Sequence, residues 1–367
     1  MKFLHIIGAR PQFIKYFPIQ QAIRKAEANY SIENLVIHTG QHYDYRMSKI
    51  FFDELGIDEP DYHLEVGSGG HGQQTGLVMQ RVEEVLFKEQ PDIMIVYGDT
   101  NSTLGGALAA AKMHIPVAHV EAGLRSFNKR MPEEINRILT DHVSAYLFCP
   151  SETAVENLRH EGFAADQQEI RGNDFPLILN IGDVMYDMLR HALVLAQEKS
   201  VILSDLGLQE KQYTLMTLHR AENTDDPQQL ATVIRFINEV TDGQKVVFPM
   251  HPRMVKVYQG GPVKFADHVR IIEPVGYFDM LMLLQNACQL FTDSGGMQKE
   301  AYWLKVPCIT LRDETEWVET IATGWNVLYE HYQDRRHPRT DSVNAYGDGN
   351  AAEKIINTLC RGKEYHV

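Results

Sequence analysis

The stretch KFLHIIGARPQFIKYFPIQQAIRKA, residues 2–26, decides the predicted fold. It opens with the mostly apolar run KFLHIIG, which is typical of a buried strand. Gly8 then allows a tight turn, and Pro11 suits the first position of a helix that continues through the rest of the stretch. A buried strand followed at once by a helix is the unit from which parallel sheets are built.

The same alternation of short strands and helices repeats along the whole chain. Strands are predicted at NLVIHTG, IMIVYGD, PVAHVE and AYLFCPS, and after a restart near residue 180 at YTLMTLHR, QKVVFPMHP, VRIIEPV, CQLFTDSGG and KVPCITLRD. This alternation predicts parallel sheets covered on both faces. We therefore predict an α/β protein of two Rossmann-like, doubly wound domains, residues 1–182 and 183–349, and a closing helix at about 350–362.

Bulk composition limits the classes of partner. The 367 residues are enough for two domains, and 44% apolar with 23% charged residues is typical of a globular protein. A net charge of −14 argues against nucleic acid or an anionic membrane as the main partner, because both require a positive surface. A small anionic ligand is still compatible with this net charge, because a few local cations can bind one phosphate group.

Cysteine usage and the apolar runs suggest a protein of a reducing cytoplasm. The four cysteines form no CxxC pair and sit in or beside apolar runs, which favours buried free thiols. The N-terminal apolar run is too short for a signal peptide, and no run approaches the roughly 18 apolar residues of a membrane-spanning helix. No HExxH or comparable spacing occurs, so no metal is predicted.

Polar residues follow the predicted strands at the ends where open α/β sheets bind ligands. Two domains facing each other would place these residues along one cleft. They include Gly8 to Arg10, Gly98 and Asp99, His119 to Glu121, His219 and Arg220, and Asp293 to Gly296.

The segment GARPQFIK, residues 8–15, is a candidate anion site. Arg10 and Lys15 would lie near the N-terminus of a helix, where backbone N–H groups already attract anions. Cations there oppose the helix dipole, so their presence suggests a bound anion. The alternative is a surface turn with solvated charges.

The segment DSGGMQKEA, residues 293–301, is a second candidate. Ser294, Gly295 and Gly296 would expose backbone N–H groups at a helix start, as in a phosphate site. Glu300, one turn further on, could accept hydrogen bonds from ribose hydroxyls. The alternative is an ordinary N-cap and tight turn.

The segment GSGGHG, residues 67–72, matches the dinucleotide pattern G-x-G-x-x-G letter for letter. The first strand–helix unit of the domain lies elsewhere, however, and Pro60 and Asp61 precede the short run before these glycines. A flexible loop is the better interpretation, and no dinucleotide cofactor is predicted.

Acidic residues cluster in HVEAGLRSFNKRMPEEINR, residues 119–137. Glu121 follows a strand, and Glu133 and Glu134 occupy the first turn of a helix opened by Pro132. The helix dipole stabilises carboxylates there by roughly 0.3–1 kcal/mol, so stability alone could explain the pair. A cleft-facing Arg137 would hold Glu134 ionised and oriented.

Helical spacing sorts the residues of this helix into two faces. Glu134, Arg137 and Asp141 fall on a polar stripe. An apolar face is formed by Ile135, Ile138, Leu139 and His142.

Asp99 and His219 are the remaining candidates for proton transfer. Asp99 ends an apolar strand, where an aspartate often serves only as an N-cap. His219 follows the apolar run YTLMTL, and a lone histidine is more often structural. A histidine at a central strand end, opposite three acids, is nevertheless a good acid–base candidate.

The chain resembles the non-hydrolysing UDP-N-acetylglucosamine 2-epimerases through an ordered set of motifs: GARPQFIK, TGQH, YGDTNSTL, HVEAGLRS, MPEEINR, TLHRAEN, HPR, DSGGMQKEA and LRDETEW. The resemblance runs from residue 1 to about 330. It implies a glycosyltransferase-B-like architecture with a central cleft, a C-terminal helix returning to the first domain, a homodimer and hinge closure on the nucleotide.

The resemblance also implies roles for individual residues. The acid–base group of the family falls on Asp99, Glu121, Glu134 and His219. The UDP contacts fall on Arg10, Lys15, Ser294, Gly295, Gly296, Glu300 and Arg312. The implied reaction eliminates UDP from a UDP-sugar to give a glycal and adds it back after protonation of the opposite face at C2, without a cofactor.

Two departures from the family pattern leave finer questions open. Many members carry an R-Q-T pattern that contacts a second, activating UDP-sugar. Here the matching region reads HGQQTG, with Gln74, while Gln41 and His42 match other parts of that candidate allosteric site. The TEWVE segment also occurs in relatives that epimerise UDP-2,3-diacetamido-glucuronate, so that substrate is the main alternative to UDP-GlcNAc. A glycosyltransferase, a hydrolysing epimerase and a UDP-sugar sensor are further alternatives.

Overall fold

A computed structural model of the protein describes residues 1–40, 56–164, 174–250, 252–334 and 343–361. The chain forms two compact units. The first contains the described residues of 1–188 together with 344–361, and the second contains those of 189–343.

Within its described residues, the first unit is built on a parallel sheet of seven strands. Its strands are β1 (Lys2–Ile7), β2 (Glu33–His38), β3 (Tyr62–His63), β4 (Ile93–Tyr97), β5 (Val117–Val120), β6 (Tyr146–Cys149) and β7 (Leu177–Asn180). The spatial order is β3-β2-β1-β4-β5-β6-β7, so the order reverses between β1 and β4. In doubly wound sheets this reversal opens a crevice beyond the strand ends, where ligands bind.

Helices accompany these strands. They are α1 (Arg10–Ala26), α2 (His71–Glu89), α3 (Asn101–Lys112), α4 (Pro132–His142), α5 (Glu152–His160) and α6 (Val184–Lys199). The last of them, α6, continues into the second unit. The buried residues of α2 recur at helical spacing, as in Val78 and Val82, and pack with Met94 and Val96 of the central strand β4. Ser151 caps α5 as predicted, since its hydroxyl accepts a hydrogen bond from the N–H of Ala154.

In the part of the chain that the structure describes, the second unit repeats the plan with six parallel strands. These are β8 (Thr214–Thr217), β9 (Val246–Pro249), β10 (Val269–Ile272), β11 (Gln289–Thr292), β12 (Cys308–Thr310) and β13 (Asn326–Leu328). The order β10-β9-β8-β11-β12-β13 again reverses once, between β8 and β11. Its helices are α7 (Ile202–Leu206), α8 (Ala221–Thr224), α9 (Pro227–Val240), α10 (Pro252–Gly260), α11 (Tyr277–Asn286), α12 (Gly295–Trp303) and α13 (Val318–Ala322), followed by a 3₁₀ helix (Tyr329–Asp334).

The closing helix α14 (Ala351–Arg361) packs against α1 in the first unit. Its first N–H groups need acceptors, and the Asp187 carboxylate of α6 accepts from Ala351 at 3.1 Å and from Ala352 at 2.9 Å. Lys25 of α1 pairs with Glu353 at 2.6 Å. The C-terminal segment is therefore fixed to the first unit by a side-chain cap as well as by apolar packing.

Helix α4 turns its predicted apolar face outward. Ile135 and Leu139 are 43% and 44% exposed, whereas Glu134 and Asp141 are 1% and 0% exposed. The polar side is buried because its charges pair with residues of the neighbouring loops and strands. Two strands, β7 and β13, were not predicted from the sequence.

The helices of the described part include none that is long and apolar enough to cross a bilayer. All four cysteines are free, and Cys149, Cys308 and Cys360 are buried.

Candidate active site

Gly98 lies at the order reversal of the first sheet and brings two side chains together. Its φ of +62° is a left-handed conformation that favours glycine. A Cβ at this position would come within 3.0 Å of Lys15 Nζ and 3.4 Å of Glu121 Oε2. The side chains of Lys15 and Glu121 therefore lie directly against the turn that follows β4.

Lys15 and Glu121 form an ion pair whose side chains are 12% and 10% exposed. Burial alone would lower the pKa of Lys15, but the charges of Glu121, Asp99 and Asp183 outweigh burial and raise that pKa. The ammonium group thus stays charged and favours an ionised Glu121. Lys15, predicted as a UDP contact, pairs with Glu121, one of the predicted acid–base residues.

The backbone of Glu121 is strained. Its φ of +76° is left-handed, which costs a non-glycine residue of the order of 1–3 kcal/mol. The N–H groups of Glu121 and Ala122 both donate to the Phe148 carbonyl at 3.1 Å and hold this conformation. Strain that the surrounding structure maintains is characteristic of functional sites.

Arg137 joins two further predicted residues. Its guanidinium donates to Asp99 through Nη2 and to Glu134 through Nη1, the latter at 2.7 Å. Burial would lower the pKa of Arg137, but Asp99 and Glu134 raise it. Asp99 is 34% exposed at its side chain, so its carboxylate is accessible while Arg137 fixes its orientation.

Both oxygen atoms of the Glu134 carboxylate already accept hydrogen bonds. It accepts hydrogen bonds from Ser126 N at 2.9 Å, Ser126 Oγ at 3.0 Å and Phe127 N at 2.9 Å, besides the bond from Arg137. Burial would raise the pKa of Glu134, but these bonds and the Arg137 charge lower it. A proton transfer by Glu134 would first have to break them, so the geometry favours a positioning role over direct proton transfer.

The turn before α1 is less open to an anion than the sequence suggests. The Gln12 side-chain oxygen accepts from the N–H groups of Gly8 at 2.8 Å and Ala9 at 3.1 Å. Gly8 is required by space, because a Cβ there would lie 2.1 Å from Thr39 Oγ1. The side chain of Arg10 lies outside the described part of the structure.

In the second unit, Asp293 organises the loop that carries His219. This fully buried carboxylate accepts from the backbone N–H of His219 at 3.0 Å and of Arg220 at 2.9 Å. It also lies 3.2 Å from His219 Nδ1, while the imidazole is 46% exposed. A buried carboxylate that orients an accessible imidazole is a common arrangement for acid–base work.

The predicted nucleotide loop forms the start of α12. Ser294 is the N-cap, and its hydroxyl accepts from Met297 N at 3.4 Å. The next residues, Gly295 and Gly296, occupy the first turn, whose N–H groups have no acceptor within the helix. A Cβ on Gly295 would come within 3.1 Å of Trp317 Nε1, so a side chain would crowd this loop.

Glu300 lies one turn further along α12 and is 7% exposed. Burial raises its pKa to about 7, although the hydroxyl of Tyr277 donates to Oε1 at 3.1 Å. A carboxyl group that exchanges its proton near neutrality can accept hydrogen bonds from sugar hydroxyls once it is ionised.

Arg312 follows β12 and pairs with Glu316 at 3.0 Å. Arg220, from the loop after β8, lies 4.0 Å from the other oxygen of Glu316. Burial would raise the pKa of Glu316, but its hydrogen bonds and these two cations lower it. Arg312, predicted to contact phosphate or sugar, is therefore held by an ionised carboxylate on its own side of the second sheet.

Two predicted allosteric residues, Gln41 and His42, lie outside the described residues. Gln74 is buried, donates to the Gly67 carbonyl at 2.8 Å and accepts from Asn101 at 2.7 Å. Asn101 in turn accepts from Asn136 at 3.2 Å, so Gln74 belongs to a chain of buried amides that reaches α4.

Two buried carboxylates, Asp183 and Asp293, were not predicted as site residues. Asp183 is 2% exposed and its charge raises the pKa of Lys15. It follows β7, so recognition of LILN as a strand would have identified it as another strand-end carboxylate. Within the described residues, no group of three or more His, Cys, Asp and Glu side chains is arranged to hold a metal ion.

Comparisons with known proteins agree on one family. The family model for UDP-N-acetylglucosamine 2-epimerase matches residues 24–360. A UDP-N-acetylglucosamine 2-epimerase homolog of Methanococcus maripaludis is 48% identical over 372 residues, covering 98% of this chain and 99% of that protein. The UDP-2,3-diacetamido-2,3-dideoxy-D-glucuronate 2-epimerase of Pseudomonas aeruginosa is 47% identical, covering 98% and 100%.

The fold has close relatives among solved structures. The UDP-GlcNAc 2-epimerase of Methanocaldococcus jannaschii, solved in complex with UDP-GlcNAc and UDP, has a TM-score of 0.80 at 41% identity, over 99% of this chain and all of that chain. This likeness confirms the predicted α/β fold class with two Rossmann-like, glycosyltransferase-B-like units. The chain belongs to the UDP-N-acetylglucosamine 2-epimerase family, an enzyme family, as the ordered motifs predicted.

We expect Glu300→Gln to change how stability depends on pH. The folded-state pKa of Glu300, about 7, exceeds its ordinary value of 4.5. The stabilising contribution of the protonated carboxyl group is therefore complete below pH 4.5 and is lost as pH rises through 7. The amide cannot ionise and keeps the Tyr277 bond. The unfolding free energy of the variant, relative to that of the wild type, should therefore rise between pH 5 and pH 8 by up to about 3 kcal/mol. Its melting temperature relative to wild type should rise over the same range. Thermal melts at both pH values check this, and a constant difference would contradict it.

Proposed function

We propose that the protein catalyses epimerisation at C2 of a UDP-N-acetylhexosamine, interconverting UDP-GlcNAc and UDP-ManNAc. The observation that carries this proposal is the cluster of Lys15, Glu121, Asp99 and Arg137 at the order reversal of the first sheet. Two carboxylates with separate cationic partners offer two groups for proton transfer. The family membership supplies the nucleotide-sugar class of substrate.

The reaction needs an elimination because the C2 proton is not adjacent to a carbonyl group. The C1–O bond breaks and UDP leaves with the electron pair, which makes the C2 proton acidic. A carboxylate takes that proton, and a glycal with a C1–C2 double bond results. A proton then adds to C2 from the opposite face, and the UDP oxygen forms the C1–O bond again.

The residues proposed for this chemistry belong to both units of the chain. In the first unit, Glu121 and Asp99 exchange protons with C2, while Lys15 and Arg137 pair with them and orient them. In the second unit, the N–H groups of Gly295 and Gly296 at the start of α12 bind the diphosphate, and Glu300 accepts from the ribose hydroxyls. His219, oriented by Asp293, serves as acid or electrostatic partner of the departing UDP.

The proposal is tested by incubation of the protein with UDP-GlcNAc in D2O, followed by proton and phosphorus NMR. Deuterium at C2 of both UDP-sugars is expected. Free sugar together with UDP would instead indicate a hydrolysing enzyme. Intact substrate without deuterium would overturn the proposal for this substrate.

A second candidate is the same reaction on UDP-2,3-diacetamido-2,3-dideoxy-glucuronate. The observation that favours it is the 47% identity to the P. aeruginosa enzyme of that name, which nearly equals the 48% identity to the M. maripaludis UDP-N-acetylglucosamine 2-epimerase homolog. Trp317 of the TEWVE segment also borders the nucleotide loop through Gly295. The same NMR experiment with this substrate decides between the two, since faster exchange identifies the preferred sugar.

We further propose that the protein is a homodimer that works in the reducing cytoplasm, where its free thiols are stable. Met131, Ile135 and Leu139 form an exposed apolar stripe along α4, and a second copy of the chain would cover it.

The variant Ile135→Lys, Leu139→Lys should therefore convert the dimer to a monomer. Light scattering after size-exclusion chromatography gives the mass of each form. The control is Val201→Lys in the second unit, which is 64% exposed and outside this stripe. A wild-type monomer, or a dimer that survives the double substitution, would contradict the proposed interface.

A further inference from the structure

A fully buried histidine lies directly beneath the acid–base cluster. His119 of β5 is 0% exposed. Its Nδ1 is 2.6 Å from Asp141 Oδ1, and its Nε2 is 2.8 Å from the Gly98 carbonyl oxygen. Both ring nitrogens thus face oxygen atoms that can only accept a hydrogen bond, provided that Asp141 is ionised.

Asp141 is ionised because several donors converge on it. Arg125 Nη1 lies 2.8 Å from Oδ2, and the N–H of Gly123 donates to the same oxygen at 3.1 Å. Burial would raise the pKa of Asp141, but His119 and Arg125 lower it. A neutral imidazole has a single N–H and would place a lone pair against one of these two acceptors.

The pair connects three segments that carry the acid–base residues. The Gly98 carbonyl belongs to the peptide that leads into Asp99. Gly123 lies two residues after Glu121, in the same loop. Asp141 is on α4, one helical turn after Arg137. One buried interaction thus ties the turn after β4, the loop after β5 and helix α4 to each other.

We propose that His119 and Asp141 are a positioning pair, in which an imidazolium donates to both the Asp141 carboxylate and the Gly98 carbonyl and thereby sets the relative placement of Asp99, Glu121 and Arg137. The inference rests on the proposed function, because it assigns these three residues to the reaction. Neither member of the pair is exposed, so neither touches the substrate, and each acts through the residues it holds.

His5 provides a matched control for the loss of a buried ring. It is also 0% exposed, it lies on β1 of the same sheet, and its Nδ1 is 2.7 Å from the Tyr97 hydroxyl. It does not bridge the three segments. If His119 only fills the core, His119→Phe and His5→Phe should lower activity in proportion to their loss of stability.

The test compares both phenylalanine variants with wild type. Three quantities are measured: the melting temperature, the affinity for UDP by calorimetry, and the rate of deuterium uptake at C2 with saturating substrate. For His119→Phe we expect exchange to slow by about 100-fold, the effect of displacing reacting groups by about 1 Å, with UDP affinity retained. For His5→Phe, exchange should stay near the wild-type rate. Equal loss in both variants, or normal exchange in His119→Phe, would overturn the inference.

A second variant, Asp141→Asn, keeps the inference testable if His119→Phe does not fold. It preserves the shape of the side chain and an acceptor for Gly123, but removes the charge that balances the imidazolium. Nitrogen NMR of ¹⁵N-histidine protein should show two protonated nitrogens for the His119 ring in wild type and one in this variant. Two protons in both forms, or one in both, would contradict the assigned pair.

The outcomes separate this inference from the proposed function. If the wild type exchanges no deuterium with UDP-GlcNAc or the diacetamido uronate, the proposed function fails and the inference falls with it. If the wild type is active and His119→Phe is equally active, the positioning pair alone is wrong.

Discussion

Glu121→Gln should stop deuterium uptake at C2 while leaving UDP affinity nearly unchanged. The amide has the shape of the carboxylate but cannot accept the proton, and general acid–base catalysis contributes about 10²- to 10⁴-fold. The affinity is retained because the proposed diphosphate and ribose contacts belong to Gly295, Gly296 and Glu300. The measurements are exchange by NMR and UDP binding by calorimetry.

Glu133→Gln is the matched control for this prediction. Glu133 is an exposed acid in the first turn of α4, beside the buried Glu134. Its replacement should change neither exchange nor binding. Loss of UDP binding together with exchange in Glu121→Gln would show that Glu121 supports the structure of the site, and full exchange in that variant would remove it from the mechanism.

Arg137→Leu should lower both stability and activity. The substitution leaves Asp99 and the buried Glu134 without their shared cation, and breaking a buried ion pair costs about 3–5 kcal/mol. The partial exposure of Asp99 places the expected loss of unfolding free energy near the lower value, at roughly 3 kcal/mol. Exchange at C2 should fall as well, because Asp99 loses the partner that orients it.

The stability difference should depend on pH in a defined direction. The folded-state pKa of Glu134 lies below its ordinary value of 4.5. The stabilisation from Arg137 is therefore complete above pH 4.5 and disappears as pH falls through the folded-state pKa. Urea unfolding at pH 7 and at pH 3.5 measures the difference, which should shrink at the lower pH.

Arg137→Lys is the informative control, because it keeps the charge but not the two-pronged guanidinium. It should recover part of the stability and little of the exchange, since one ammonium cannot span both carboxylates in the same geometry. A leucine variant as stable as wild type at pH 7 would contradict the ion-pair argument.

Much of the fold is visible in the sequence because strand and helix periodicity is local. The run KFLHIIG and the helix after it are read from adjacent residues, and both lie where the pattern predicts. The strand ends Asp99, Glu121, His219 and Ser294 follow from the same reasoning, because parallel strands bring their carboxyl ends to one edge of a sheet. Strand β7 ends at the predicted domain boundary near residue 180 and was not recognised, and with it Asp183 was overlooked.

The pairing of these side chains could not be predicted in the same way. The ion pair of Lys15 with Glu121 joins residues 106 positions apart along the chain, and no local pattern indicates it. The pairing of Arg312 with Glu316 was likewise not predicted, and the predicted UDP contacts of Lys15 and Arg312 stay predictions. The φ of Glu121 has no sequence signal, because a glutamate gives no indication of a left-handed backbone.

Helix α4 shows most clearly what the sequence decides and what the tertiary structure decides. Its sequence determines a helix with one apolar and one polar face, since helical spacing is set by neighbours three and four residues apart. Which face is buried depends on the charges that the sheet order brings beside it. Asp99, Ser126 and His119 supply partners for Arg137, Glu134 and Asp141, so the polar face can be buried with its hydrogen bonds satisfied. The sequence by itself determined the elements and the reactive residue types, and only the tertiary structure decided which of them meet.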